Sequence, residues 1–183
     1  MATNRPELGS SVWVLPIHQP IWEHVSMTSS DGVGILDADR LLKEWRWLCP
    51  MRVTIIDCNA YGDLFVRDDL GRIHMLDVGS GEFALVAESA SEFDVLKATP
   101  EKREEWFAEA DAHDATERGL IPGPGKCIAF DIPTVFAESA KASPYIADIY
   151  DQVGFLGDMH RQLSKFPDDA KVNRVIKPEP DTD

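Results

Sequence analysis

The residues of this chain that could do chemistry are carboxylates in and beside predicted strands, together with one histidine. Asp57, Asp63 and Asp77 lie within a short stretch, and His74 shares a segment with Asp77. Carboxylate oxygens are the ligands that Mg²⁺ prefers, so three of them brought together would form a metal site. One hypothesis is therefore a small metal-dependent hydrolase that uses these four residues. The competing interpretation is solvated acids in turns and at strand edges.

No other catalytic pattern accompanies these residues. The five histidines include no pair at i, i+4 and no HExxH, and the glycines form neither a phosphate-binding loop nor a GxSxG nucleophile elbow. The three cysteines, Cys49, Cys58 and Cys127, are far apart and predict small buried thiols rather than disulfides or a zinc site. The sequence therefore favours a protein that is not an enzyme and uses no cofactor.

The chain is strongly acidic, and part of the excess is concentrated in one segment. Its 183 residues include 18 basic and 32 acidic ones, for a formal net charge of -14. Between Glu88 and Arg118, ten acidic residues accompany four basic ones. Such a surface repels phosphate, which argues against nucleic acid or an anionic membrane as the direct partner. It permits a basic protein partner, although a solvated helix face explains the same charges more simply.

If the charge serves a basic partner, exposed carboxylates are the candidate contacts. Complementary charge of this kind mostly speeds association and sets partner choice. In a hairpin turn the candidates are Asp68 and Asp69. In the acidic segment they are Glu101, Glu104, Glu105, Glu109, Asp111, Asp114 and Glu117.

The elements that must position these residues are short strands followed by helices. Alternating apolar residues and tight turns predict an antiparallel meander, in which the hairpin at 61–78 is the clearest part. Strands that pair locally beside grouped helices indicate an α+β fold with a mostly antiparallel sheet. The predicted strands are the meander at about 52–87 and two more at about 126–132 and 145–150, and the predicted helices lie at about 37–48, 91–114 and 152–166.

Capping residues indicate where several helices begin. Asp37 is a favourable N-cap, and Ser91 with Asp94 resembles a capping box. Thr99 followed by Pro100 is a further helix start, because proline is favoured in the first helical position.

Length and composition suit a single domain with a real core, since 44% of the residues are hydrophobic. The predicted organisation is an extension at 1–30, one α+β domain at 31–167 and a polar tail at 168–183. The first residues lack an apolar signal core, and no run is long and apolar enough for a membrane span. The sequence therefore predicts a cytoplasmic protein.

The hairpin and its surroundings resemble a known family. The residues that carry the resemblance are Tyr61-Gly62-Asp63-Leu64-Phe65, Asp69 to Asp77, Gly81-Glu82, Val86 to Ser89, Glu92-Phe93, the strand around Cys127 that ends at Pro133, and Leu156-Gly157-Asp158-Met159-His160. In this order they are similar to the Tdi-type immunity domain of type VI secretion, in the GAD-like/Tdi family. The resemblance covers about 32–166, with a GAD-like remnant from Asp31 to Trp45.

The resemblance implies an antitoxin rather than an enzyme. Such a protein binds a cognate toxin delivered by type VI secretion, often a nuclease, and occludes its active site or its DNA groove. A nuclease needs a basic surface to bind DNA, so an acidic inhibitor could cover that surface. The implied partner is a basic toxin.

Overall fold

The fold is α+β, as the sequence predicts, in a computed structural model that describes residues 36–167. The predictions for 1–30 and 168–183, and the first residues of the GAD-like remnant, lie outside the described residues. No helix within 36–167 is long and apolar enough to cross a membrane. The strands are β1 (Val53–Cys58), β2 (Leu64–Asp68), β3 (Ile73–Asp77), β4 (Glu82–Ala87), β5 (Lys126–Phe130) and β6 (Pro144–Asp148), and the helices are α1 (Ala38–Leu41), α2 (Ala90–Lys97), α3 (Pro100–Phe107), α4 (Glu109–Glu117) and α5 (Ile149–Leu163).

The predicted meander is confirmed as a four-stranded antiparallel sheet in the order β1-β2-β3-β4. Strands β5 and β6 form a separate two-stranded antiparallel sheet rather than extending the first. A backbone hydrogen bond of 2.7 Å from Ile128 N–H to the Ala60 carbonyl links β5 to the β1–β2 turn. This contact fixes the small sheet beside one end of the meander.

Strand β2 is buried on both faces of the meander, which explains why it is apolar at consecutive positions. Leu64 and Val66 face a core shared with α1 and α5. Phe65 points to the other face, where it contacts the rings of Phe93 and Phe107 at centroid distances of 5.2 Å. Burial of large apolar side chains on both sides is the main stabilising contribution to this layer.

The predicted helix at 37–48 is shorter than expected. Asp37 caps it as predicted, because its Oδ1 accepts from Asp39 N–H at 3.0 Å and Arg40 N–H at 3.2 Å. The α-helix ends at Leu41, however, and a 3₁₀ helix covers Lys43–Trp45. The tighter 3₁₀ winding aligns residues three apart, which lets Leu42 and Trp45 both turn inward.

The helical region predicted at 91–114 is three helices. The capping prediction at Ser91 and Asp94 is wrong, because Ser89 caps α2 by accepting from Glu92 N–H. The prediction at Thr99 is confirmed, since its side chain accepts from Lys102 N–H at the start of α3. The earlier cap moves the start of α2 to Ala90.

A left-handed residue separates α3 from α4. Ala108 has φ 45°, a conformation that costs an alanine about 1–2 kcal/mol. Two contacts cross the break: Glu104 accepts from Ala110 N–H at 3.1 Å, and Arg103 donates to Glu109 at 2.6 Å. The break ends α3 at Phe107 and starts α4 at Glu109, which no propensity in the sequence indicated.

The last helix begins earlier than predicted. Asp148 ends β6 and also caps α5, accepting from Tyr150 N–H at 3.0 Å. The strand predicted to reach 150 therefore stops two residues sooner, and α5 starts at Ile149 instead of 152.

Candidate functional site

A cleft of about 770 Å³ opens where one end of the meander meets α4, β5 and α5. Among the described residues that line it, four carry carboxylates and one carries a guanidinium, Arg118. The apolar part of the wall comes mainly from β5, the loop after it and α5. The carboxylates belong to Asp63, Asp77, Asp111 and Asp114.

The floor of the cleft is built by the turn between β1 and β2, and Asn59 holds that turn. Its Oδ1 accepts from Tyr61 N–H at 2.9 Å and from Asp63 N–H at 3.0 Å, an Asx-turn arrangement. Its amide nitrogen donates to Asp63 Oδ2 at 2.7 Å and to the Trp106 carbonyl at 3.0 Å. Sequence reasoning missed Asn59, although the spacing Asn59 to Gly62-Asp63 is typical of such a turn.

Asn59→Ala is expected to destabilise the protein by about 2 kcal/mol, because four hydrogen bonds are lost and buried groups are left unpaired. Urea unfolding followed by circular dichroism measures the change in the free energy of unfolding. A change below about 0.5 kcal/mol, the range of ordinary surface substitutions, would contradict the structural role of this side chain.

Asp63 is the most perturbed carboxyl of the cleft. Burial, and then the charge of Asp77, raise the pKa of Asp63 to about 7. Hydrogen bonds from Asn59 and from the N–H groups of Val78 and Gly79 oppose the rise; the bond from Val78 N–H measures 2.8 Å. A carboxyl with this pKa is partly protonated near neutral pH.

The raised pKa predicts a pH dependence of stability. Folded Asp63 holds a proton between about pH 4 and pH 7 that the unfolded chain has released, so its contribution to stability falls as the pH rises through that window. Asp77→Asn removes the neighbouring charge, while its amide oxygen can still accept from Ser80 N–H. We expect Asp77→Asn to raise the melting temperature at pH 8 relative to wild type by more than at pH 5. Equal shifts in melting temperature at the two pH values would contradict the electrostatic coupling between Asp63 and Asp77.

Tyr61 connects the floor of the cleft to α4. Its ring stacks on Phe130 with centroids 6.0 Å apart and planes 7° apart. Burial raises the pKa of Tyr61 to about 12, with further contributions from Asp111, Asp114 and Glu104. The charges that contribute to this rise belong to α4 for Asp111 and Asp114 and to α3 for Glu104.

Two predicted contact residues lie away from this cleft. Asp68 is 8% exposed and accepts from Arg72 at 2.8 Å, while His74 Nε2 lies 3.1 Å from the same oxygen. Burial raises the pKa of Asp68, but the hydrogen bonds from His74 and Arg72 outweigh it and hold the pKa well below its usual range. Asp68 therefore stabilises the hairpin. Asp69 is exposed, but its turn is at the opposite end of β2 and β3 from the cleft.

The predicted contacts on α3 and α4 divide into two groups. Four have intramolecular partners. Glu104 accepts a hydrogen bond from Ala110 N–H at the start of α4. Glu105 pairs with Lys102, Glu109 pairs with Arg103, and Glu117 lies 3.6 Å from His113. Glu101, Asp111 and Asp114 are exposed, and the last two line the cleft.

The four residues of the hydrolase hypothesis are not gathered at one place. Asp57 points to the α2–α3 side of the sheet, where Lys97 Nζ lies 2.5 Å away. His74 lies on the other side, stacked on Phe83 at 5.0 Å. Only Asp63 and Asp77 share the cleft. Within residues 36–167, no group of three or more His, Cys, Asp or Glu side chains could hold a metal ion.

All three cysteines are buried and none forms a disulfide, as predicted. Burial raises the pKa of Cys58 and of Cys127 to about 12. These thiols are therefore protonated at neutral pH and are packing residues.

Several residues that carry the family resemblance serve packing close to the cleft. A Cβ added to Gly81 would lie 2.5 Å from the His160 ring, and one added to Gly157 would lie 2.8 Å from the Trp45 indole nitrogen. His160 Nε2 lies 3.2 Å from the Gly79 carbonyl, and its ring is 5.6 Å from that of Trp45. These residues hold α5 against the turn that carries Asp77.

Together, the fold and the cleft define a small α+β protein with an acidic, partly enclosed surface. None of the family models, curated proteins or solved structures compared with this chain matches it. The similarity to Tdi-type immunity domains stays a prediction from the sequence motifs.

Proposed function

We propose that this protein is an immunity protein that binds a basic toxin of type VI secretion, a nuclease, and neutralises it by covering its active site or DNA groove. The observation that carries the proposal is the acidic cleft, with the exposed carboxylates of Asp111 and Asp114 of α4 at its rim. Four carboxylates accompany one guanidinium among the described lining residues. The resemblance of the sequence motifs to immunity domains supports the same role.

The charge of this surface suits a protein that competes with DNA. A nuclease attracts the phosphate backbone with lysine and arginine side chains, and a carboxylate surface is complementary to that patch. Asp111 and Asp114 are exposed and line the cleft, so they are accessible to such side chains. Complementary charge speeds encounter between the two proteins, and this effect weakens with salt.

The test uses the protein encoded by the adjacent open reading frame. We expect calorimetry to show binding between the two purified proteins, and co-expression to protect cells from that neighbour. The association rate should fall steeply as the salt concentration rises. Absence of both binding and protection would overturn the proposal.

Charge reversal at the rim of the cleft should weaken this complex. We expect Asp111→Lys/Asp114→Lys to lower the affinity at least tenfold, which corresponds to about 1.4 kcal/mol. Asp69→Lys is the control, because Asp69 is also exposed but lies at the other end of the hairpin. Circular dichroism would verify that each variant is folded. If Asp69→Lys lowered the affinity as much as Asp111→Lys/Asp114→Lys, the binding surface would not be at the cleft.

A further inference from the structure

The cleft has the size and lining of a binding pocket for one inserted group. Its volume of about 770 Å³ lies within the range of ligand pockets, roughly 300–1,000 Å³. Ile128, Val135 and Leu156 contribute apolar wall, and the carboxylates lie at the floor and the rim. An occupant must therefore combine an apolar stem with a positive charge.

The excess of carboxylates over basic groups inside the cleft favours the entry of a cation in addition to Arg118. Arg118 is the single basic residue among the described lining residues, against four aspartates. Asp63 is already engaged by Asn59 and by the N–H groups of Val78 and Gly79. The carboxylates of Asp77 and Asp114 have the acceptor capacity for an incoming donor.

We propose that an arginine side chain of the partner protein anchors the complex by entering this cleft, with its guanidinium against Asp77 and Asp114 and its stem along the apolar wall. The proposal rests on the proposed immunity function and specifies how the partner is held. Binding would then depend on one inserted side chain in addition to the long-range attraction between two oppositely charged surfaces.

Arginine fits this environment better than lysine. Its planar fork can donate two parallel hydrogen bonds to a carboxylate, and it is less strongly hydrated than an ammonium group. The stacked rings of Tyr61 and Phe130 line the same cleft and offer a flat aromatic surface for a guanidinium. The apolar wall accommodates the three methylenes of the stem.

The first experiment needs no partner. N-acetyl-arginine amide is titrated into the ¹⁵N-labelled protein, with the uncharged isostere N-acetyl-citrulline amide as the matched control. We expect millimolar binding of the arginine probe, with amide shifts concentrated at 77–80 and 128–135, and at least a tenfold weaker response to citrulline. Asp77→Asn/Asp114→Asn should abolish the response to arginine. Three outcomes would overturn the proposal that the cleft binds arginine: amide shifts spread over all acidic surfaces, equal amide shifts with the two probes, or no shifts.

The second experiment uses the partner and separates the two proposals. We expect Asp77→Asn/Asp114→Asn to weaken the complex at least tenfold, while Asp69→Asn leaves it unchanged. A complex that forms equally well with both variants would overturn the arginine anchor and leave the immunity role intact. If the wild-type protein does not bind the partner at all, the immunity proposal fails, and the anchor that rests on it fails as well.

Discussion

Trp45→Ala is expected to lower the free energy of unfolding by about 4 kcal/mol, one of the two largest effects of a single substitution predicted for this protein. Trp45 is 0% exposed, and its Nε1 donates to the Val153 carbonyl at 2.8 Å. Its removal leaves a cavity between the 3₁₀ turn and α5 and takes away the hydrogen bond from the indole to the Val153 carbonyl. Urea unfolding measures the loss. Trp45→Phe, which keeps most of the volume but not the donor, should cost about half as much.

A double-mutant cycle tests why α5 has a glycine opposite this tryptophan. In the wild type, Gly157→Ala should be destabilising because the new Cβ meets the indole at 2.8 Å. In the Trp45→Ala background the same substitution should cost much less, since only the Glu44 contact at 3.0 Å remains. Additive effects of the two substitutions would contradict the close approach of helix and ring.

Lys97→Met is expected to destabilise the protein by about 3 kcal/mol at pH 7, because it leaves the Asp57 carboxylate buried without its partner. Asp57 is 2% exposed, and Lys97 Nζ lies 2.5 Å from its Oδ2. The same ammonium lies 5.2 Å from the centre of the Phe107 ring. Burial raises the pKa of Asp57, while the charge of Lys97 opposes that rise.

The pH dependence distinguishes a lost charge partner from lost packing. Without Lys97 the pKa of folded Asp57 rises further above its unfolded value, so the penalty grows as the pH rises above about 4. Unfolding of Lys97→Met at pH 4.5 and pH 7 should therefore show the larger loss at pH 7. Asp57→Asn/Lys97→Met should recover most of the stability. A double variant as unstable as Lys97→Met alone would contradict the role of the charge.

Local signals in the sequence were enough to predict the strands and the fold class. The hairpin at 61–78 combines alternating apolar residues with Asp-Asp-Leu-Gly, and the structure forms this hairpin, with Leu64 opposite Leu76. Asp37 and Thr99 mark helix starts because their side chains satisfy N–H groups within the next three residues. The burial of the three cysteines was likewise predicted from the sequence, because their wide spacing offered neither a disulfide pattern nor a zinc site. These features depend on neighbours in the chain, so the chain alone reveals them.

The helix boundaries required information that lies far away in sequence. The helix at Asp37 changes to 3₁₀ winding where Trp45 reaches the carbonyl of Val153, 108 residues later. The break at Ala108 depends on side chains on both sides of it, and no residue with an intrinsic preference for positive φ marks the place. Propensity favoured one continuous helix there, and side-chain contacts decided otherwise.

The sequence by itself determined the α+β class and the acidic charge, because each follows from residue types and short spacings. It could not determine which carboxylates share a site. Asp68 and Asp69, at the turn end of β2, lie away from the cleft, whereas Asp63 and Asp77 line it together with Asp111 and Asp114 of α4. Only the tertiary structure decided this, because α4 and β5 reach the end of the meander through long-range packing and there form the walls of the cleft.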